Sequence, residues 1–235
     1  MPDGDGPFTV VVLVHGGFWR ERYRRDLMSH LATDLVERGY ATWNIEYGRV
    51  RGSGGWPQTF EDAAAAVDHL AQLDDARLDL ARVITVGHSA GGHLAVWLAA
   101  RPGLPDDAPG AAPRVQPCAA VSLGGVLDLR RAAEGYVGQN AVVDLMGGTP
   151  DDHDERYRIA SPLDRIPIGV PIVLIHGVED DVVPVEQSDD FGAAAANAGD
   201  EVELVALDGQ GHYELFDLAS PTWNAVTERL GELCP

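Results

Sequence analysis

The sequence predicts an α/β domain: a mostly parallel sheet of about six strands with helices on both faces. Apolar runs of strand length alternate six times with segments of helical period. The first of these runs, Phe8 to Val14, is a near-continuous β-branched run without polar alternation, as a parallel strand covered on both faces requires. The 235 residues, 45% hydrophobic and 23% charged, can bury a full core as one domain spanning 1–235.

Phe8 to Val14 is the first strand, followed by the loop His15-Gly16-Gly17-Phe18-Trp19. From Tyr23 to Arg38 the residues Leu27, Leu31 and Leu35 recur every four, and Gly39 is a helix stop. Tyr40 to Tyr47 reads as the second strand. A Gly-rich loop then leads to an Ala-rich helix from about Pro57 to Leu73. Val83 to Val86 is the third strand, and Gly92 to Arg101 is helical. Pro102 to Pro117 is a surface loop and Ala119 to Leu123 a strand. The segment 128–168 has no strand signal, and Asn140 to Met146 is a short helix within it. It reads as a small cap, with Asp151, Asp152, Asp154 and Glu155 forming a solvated helix start. Pro171 to Ile175 is a strand, Val185 to Ala198 a helix and Glu201 to Leu207 the last strand. Pro221 to Leu230 closes the chain as a helix with Ser220 as its N-cap.

Charge and composition exclude several functions. A formal net charge of −20 makes nucleic acid and anionic membranes poor partners. All 17 basic residues are arginine, which removes Schiff-base and pyridoxal-phosphate chemistry, since both need a lysine amine. Cys118 and Cys234 form no metal motif and no disulfide framework, so two separate thiols are expected. No run approaches the roughly 18 apolar residues of a membrane span. Residues 1–8 lack the basic and apolar regions of a signal peptide, so the expected location is cytoplasmic. No cofactor and no metal are expected. His88 and His93 flank position 89 without the further ligands a zinc site needs.

The chemistry centres on Gly87-His88-Ser89-Ala90-Gly91, set between a strand and a helix as a nucleophile elbow requires. The glycines let the backbone fold back on itself, which leaves the Ser89 hydroxyl exposed and the Ala90 N–H aimed at the reacting oxygen. A serine hydroxyl needs a base, and the base needs a group that fixes its tautomer. His212 follows the last strand, and the strand before it is followed by three adjacent carboxylates, Glu179, Asp180 and Asp181. The loop after the first strand supplies further donors to an oxyanion, the N–H groups of Gly17 and Phe18. His15 is read as a partner of the loop backbone. Trp19 and His88 are the candidate substrate contacts, with packing as the other reading of each.

The order nucleophile, acid, histidine, together with G-x-S-x-G, resembles the α/β-hydrolases over nearly the whole chain. The His-Gly-x-x-Asp-x-x-Val-Pro pattern of that superfamily falls on His176, Gly177, Asp180, Val183 and Pro184, which makes Asp180 the acid by resemblance. His15-Gly16-Gly17-Phe18-Trp19 and Gly87 to Leu94 resemble the corresponding motifs of kynurenine formamidases (arylformamidases) and related small esterases. The resemblance implies a serine hydrolase acting through an acyl-enzyme, with Ser89, Asp180 and His212 catalytic and Gly17, Phe18 and Ala90 holding the oxyanion. The expected substrate is a small carboxylic ester, the alternative an N-formyl arylamide. Peptide hydrolysis of the prolyl-oligopeptidase kind ranks lower, because that group's propeller has no room here. A non-catalytic binding module would show a lost triad member, and none is lost. Arg20, Arg22, Arg24, Arg25, Arg49 and Arg51 crowd the rim; they serve either to pair with a substrate carboxylate or as a solvated, acid-paired surface.

Overall fold

The computed structural model describes residues 1–135 and 138–234. Its elements run β1 (Phe8–Val14), α1 (Ser29–Glu37), β2 (Ala41–Ile45), α2 (Gln58–Asp68), β3 (Leu78–His88), α3 (Ala90–Ala100) and β4 (Ala119–Leu123). They continue as α4 (Leu129–Glu134), α5 (Ala141–Met146), α6 (Asp154–Ala160), β5 (Ile172–Gly177), α7 (Glu186–Ala198), β6 (Val202–Leu207) and α8 (Pro221–Leu230). Short 3₁₀ turns lead into α1 at Arg25–Met28 and extend α2 at His69–Gln72. None of these helices is long and apolar enough to cross a membrane.

The six strands form one parallel sheet in the order β2-β1-β3-β4-β5-β6. Alternate side chains of each strand feed opposite faces. Val10, Val12 and Val14 of β1 pack with Phe60 and Val67 of α2 and Leu94 and Trp97 of α3. Val11 and Leu13 turn the other way, toward Leu31 and Leu35 of α1 and Trp223 and Val226 of α8. Ile172 and Leu174 of β5 meet Phe191 of α7. Covering on both faces explains why β1 reads as an unbroken apolar run.

After β2 the chain returns to the other side of β1, so the direction of winding reverses between β1 and β3. The loops beyond the carboxyl ends of strands at such a reversal diverge and leave a crevice. Here those two loops are His15–Trp19 and the turn at Ser89.

Three expectations need correction. The third strand starts at Leu78, not Val83: Leu78 and Asp79 pair with Phe8 and Thr9, and a register shift between Thr9 and Val10 bulges residues 80–82 out before Val83 pairs with Val10. Ser220 stands at the N-cap position of α8, but its Oγ makes no capping bond and is buried without a partner. Cys118 and Cys234 are not separate thiols: they form a disulfide with Cα atoms 6.0 Å apart. Strand order brings this about, since Cys118 immediately precedes β4 and Cys234 follows α8, and both fringe the same core cluster. In segment 128–168 the acidic group starts α6 as expected, with Asp154 and Glu155 exposed in its first turn. Residues 136 and 137 of that segment lie outside the described residues.

Candidate active site

Ser89 stands between β3 and α3 with φ 57° and ψ −120°, a backbone conformation that costs a residue with a Cβ on the order of 1–3 kcal/mol. The surroundings enforce it. Its N–H donates to the Leu123 carbonyl of β4 at 2.8 Å. A Cβ on Gly87 would lie 2.0 Å from the Gly91 carbonyl oxygen, and one on Gly91 would lie 2.0 Å from that of Val14. Both glycines are therefore required by backbone-to-backbone contact. α3 starts at the next residue, so its N-terminal N–H groups and positive dipole end sit beside the Ser89 hydroxyl.

His212, in the loop after β6, donates from Nδ1 to Asp180 Oδ2 at 2.6 Å. Asp180 Oδ1 accepts the N–H groups of Val182 at 2.9 Å and Val183 at 2.8 Å. Its side chain is fully buried, whereas its neighbours Glu179 and Asp181 are exposed. Of the three carboxylates, Asp180 is thus the one that meets the histidine. Burial pushes its pKa up, but hydrogen bonds from His176 and His212, the charge of His212 and the main-chain donors outweigh burial and hold it well below the usual carboxylate range. It stays ionised at neutral pH and keeps the proton of His212 on Nδ1, which leaves Nε2 with a free lone pair.

The loop after β1 takes positive φ at three consecutive residues, Gly17, Phe18 and Trp19. It is braced from below: the Tyr47 hydroxyl donates to the His15 carbonyl at 2.8 Å, and the His15 ring stacks on Tyr47 with Nε2 2.8 Å from Glu46. A Cβ on Gly16 would lie 2.7 Å from the His88 carbonyl oxygen, so only glycine lets this loop press against the elbow. Among the described residues, no carbonyl or side chain accepts from the N–H of Gly17 or Phe18. Two donors stand free on the wall of the cavity that Ser89 also lines.

One small cavity joins these parts. Gly16, Gly17, Phe18, His88, Ser89 and His212 line it on one side, and Tyr23, Leu27, Met28, Tyr213 and Phe216 on the other. Its free volume is about 80 Å³, well under the roughly 300–1,000 Å³ of sites for drug-sized ligands. The apolar half was not legible in the sequence, because Leu27 and Met28 read there as part of a helix and Phe216 stood in an unassigned stretch.

The two candidate substrate contacts separate. His88 does line the cavity, but its ring lies 4.6 Å from those of His212 and Phe216, and its Nε2 donates to the His212 carbonyl at 2.9 Å. Burial first, then the nearby His212, drive its pKa down to about 3, so it stays neutral. Trp19 is in the core, edge-on to His93, and is absent from the cavity wall. His93 donates to the Ala160 carbonyl at 2.9 Å, and burial lowers its pKa to about 4. Among the described residues, no three His, Cys, Asp or Glu side chains are grouped to hold a metal ion.

Nor does any arginine among the described residues line the cavity. Arg20 donates to the carbonyls of Gly138 and Gln139 at 2.8 and 2.9 Å. Arg49 pairs with Glu46 and Glu21, and Arg24 lies 3.8 Å from Glu21. Replacing Arg22 or Arg24 by alanine should therefore change kcat/KM for anionic and neutral substrates alike, by less than about twofold. Steady-state kinetics on a matched pair of such substrates check this.

The chain matches the BD-FAE family model over residues 1–194. Over 97% of its length it is 29% identical to esterase LipC of Mycobacterium tuberculosis, of which it spans 59%. It superposes on a truncated carbohydrate esterase from gut microbiota with a TM-score of 0.81 at 19% identity, covering 98% of this chain and 87% of that one. For the butyrate-bound esterase Est2 of Thermogutta terrifontis the TM-score is 0.78 at 23% identity, covering 98% and 85%. The six-stranded parallel sheet with its flanking helices is shared with these α/β-hydrolase structures.

Proposed function

The chain belongs to the BD-FAE family, and on that premise we propose that it is a serine carboxylesterase of the α/β-hydrolase superfamily acting on small esters. The observation that carries this reading is the cavity walled by both Ser89 and His212, with Asp180 hydrogen-bonded behind the histidine. In the proposed mechanism His212 takes the Ser89 proton as the oxygen attacks the ester carbonyl. The N–H groups of Gly17, Phe18 and Ala90 receive the developing oxyanion. His212 then protonates the departing alcohol, and water repeats the sequence on the acyl-enzyme. Asp180 stabilises the imidazolium in both halves.

The acyl group occupies the pocket between Ser89 and Met28. Met28, 1% exposed, is the most buried of its apolar side chains. Met28→Ala is expected to raise kcat/KM for p-nitrophenyl octanoate relative to acetate about tenfold, at about 2–4 kcal/mol of stability. A chain-length series on both proteins, with thermal unfolding alongside, checks both halves. Segment 128–168 acts as the cap: Arg20 ties its residues 138 and 139 to the loop after β1, and Gly138 packs on Phe18.

Formamide hydrolysis is the finer alternative, and it needs a partner for the carboxylate of an N-formylkynurenine-like substrate. The absence of arginine from the cavity wall, among the described residues, favours the neutral ester. The deciding experiment measures kcat/KM for p-nitrophenyl acetate, butyrate and octanoate beside N-formyl-L-kynurenine. Highest activity on the short esters supports the proposal; a formamide value well above acetate replaces it with an arylformamidase. The cytoplasmic location expected from residues 1–8 now has the Cys118–Cys234 bond against it, because structural disulfides persist in oxidising compartments.

A further inference from the structure

A carboxylate that orients a histidine has itself to be held. In Asp180 the two oxygens have different partners, and one neighbouring ring governs both. His176, in β5 and fully buried, has its Nε2 2.9 Å from the Val183 carbonyl and 3.4 Å from Asp180 Oδ2. A carbonyl can only accept, so Nε2 carries the proton and Nδ1 is an acceptor. Ser188, buried in the first turn of α7, fills that acceptor with its hydroxyl at 2.7 Å.

The ring therefore acts on the acid by two routes. Directly, its Nε2 lies 3.4 Å from Oδ2, the oxygen that His212 uses, and brings its polar hydrogen close to that oxygen. Indirectly, it closes the 178–183 loop through the Val183 carbonyl, and that closure sets the Val182 and Val183 N–H groups that hold Oδ1. The side chains of His176 and Asp180 are both at 0% exposure, so water cannot substitute for either contact. Gly124 shuts the remaining side: a Cβ there would lie 3.1 Å from Asp180 Oδ2 and 3.4 Å from His212 Nδ1.

We propose that His176 is the positioning residue of the triad acid, with Ser188 locking its tautomer, so that a buried line Ser188–His176–Asp180–His212 sets both the place and the basicity of Asp180. The proposal rests on the Ser89–His212–Asp180 reading of the site. A donor on Oδ2 spreads the carboxylate charge and weakens its hold on the His212 imidazolium. Without that donor Asp180 is more basic, and His212 stays protonated to higher pH. The other titratable groups near this line are His88, which is neutral, and Glu179 and Asp181, which are exposed.

The test compares His176→Phe, His176→Gln and Ser188→Ala with the unaltered enzyme on p-nitrophenyl acetate. His176→Phe should lower kcat about 10- to 100-fold with KM within about twofold, and move the acid limb of kcat/KM up by about half a pH unit or more. His176→Gln, whose amide can still donate, should return the limb most of the way. Ser188→Ala should shift it in the same direction by less. The low-field proton resonance of His212 Nδ1–H should move in step. If His176→Phe does not fold, the two milder variants decide. Unmoved acid limbs, or kcat losses matched by a loss of sites that a fluorophosphonate can label, would show that His176 only packs and overturn the proposal. Failure of the triad reading looks different: Asp180→Asn would then have wild-type kinetics whatever the His176 variants do.

Discussion

Replacing Ser89 by alanine is expected to lower kcat on p-nitrophenyl acetate by about 10⁵-fold while leaving the unfolding temperature unchanged. The two halves of that expectation have separate physical grounds. On the proposed mechanism activity falls because the remaining groups, the N–H donors of Gly17, Phe18 and Ala90 with His212 as base, can polarise a bound ester but have no nucleophile to offer it. Stability holds because alanine keeps the Cβ of serine and hence the same strained φ of 57° and ψ of −120°. Glycine at position 89 breaks that tie. The conformation is the mirror image of the extended region, where only glycine is at ease, so Ser89→Gly should be equally inactive yet more stable than Ser89→Ala, by about 1 kcal/mol. Kinetics and thermal unfolding on the three proteins check both grounds. More than about 1% residual activity in Ser89→Ala would remove the acyl-enzyme mechanism. Equal stability of the glycine and alanine variants would remove the strain.

The strands and the positions of the loops that matter were readable because each is dictated locally. An apolar β-branched run can satisfy itself in few ways other than as a covered strand, and two glycines around a serine between strand and helix constrain the backbone by sterics alone. Ser89, Asp180 and His212 each end a strand or follow one, so the parallel sheet brings them together without any long-range detail. What escaped the sequence depends on which residues become neighbours across the sheet. Met28 and Phe216, 188 positions apart, share a cavity wall. Ser188 meets His176 only because the first turn of α7 lies over the end of β5. Trp19 was open to both packing and substrate contact because its loop carries the two glycines, and the positive φ values at Gly17, Phe18 and Trp19 decide for packing by turning its indole into the core. Burial on the far side of a turn leaves no mark in the local pattern.

The disulfide is the strongest instance, since nothing in the spacing of two cysteines 116 residues apart states that they meet. Its removal carries the second large expected effect. Closing a loop of that length restricts the unfolded chain by about 4–5 kcal/mol on the chain-entropy model, an upper figure when the reduced unfolded state is itself partly collapsed. At about 2–4 °C per kcal/mol for a chain of this size, Cys118→Ser with Cys234→Ser should lower the unfolding temperature by roughly 10 °C or more. A thiol reductant should do the same to the unaltered protein and nothing to the double variant. Activity well below the transition should survive, because the lost link joins the segment after α8 to the start of β4, at the opposite end of the strands from Ser89. α8 also remains docked through Trp223, which is buried in the core and donates to Asp34 of α1 at 2.7 Å. If reductant leaves the unfolding temperature within about 2 °C, the bond contributes little and the protein is suited to a reducing compartment. A full shift with unchanged kcat at low temperature would instead tie the stability of the sheet, but not its chemistry, to an oxidising one.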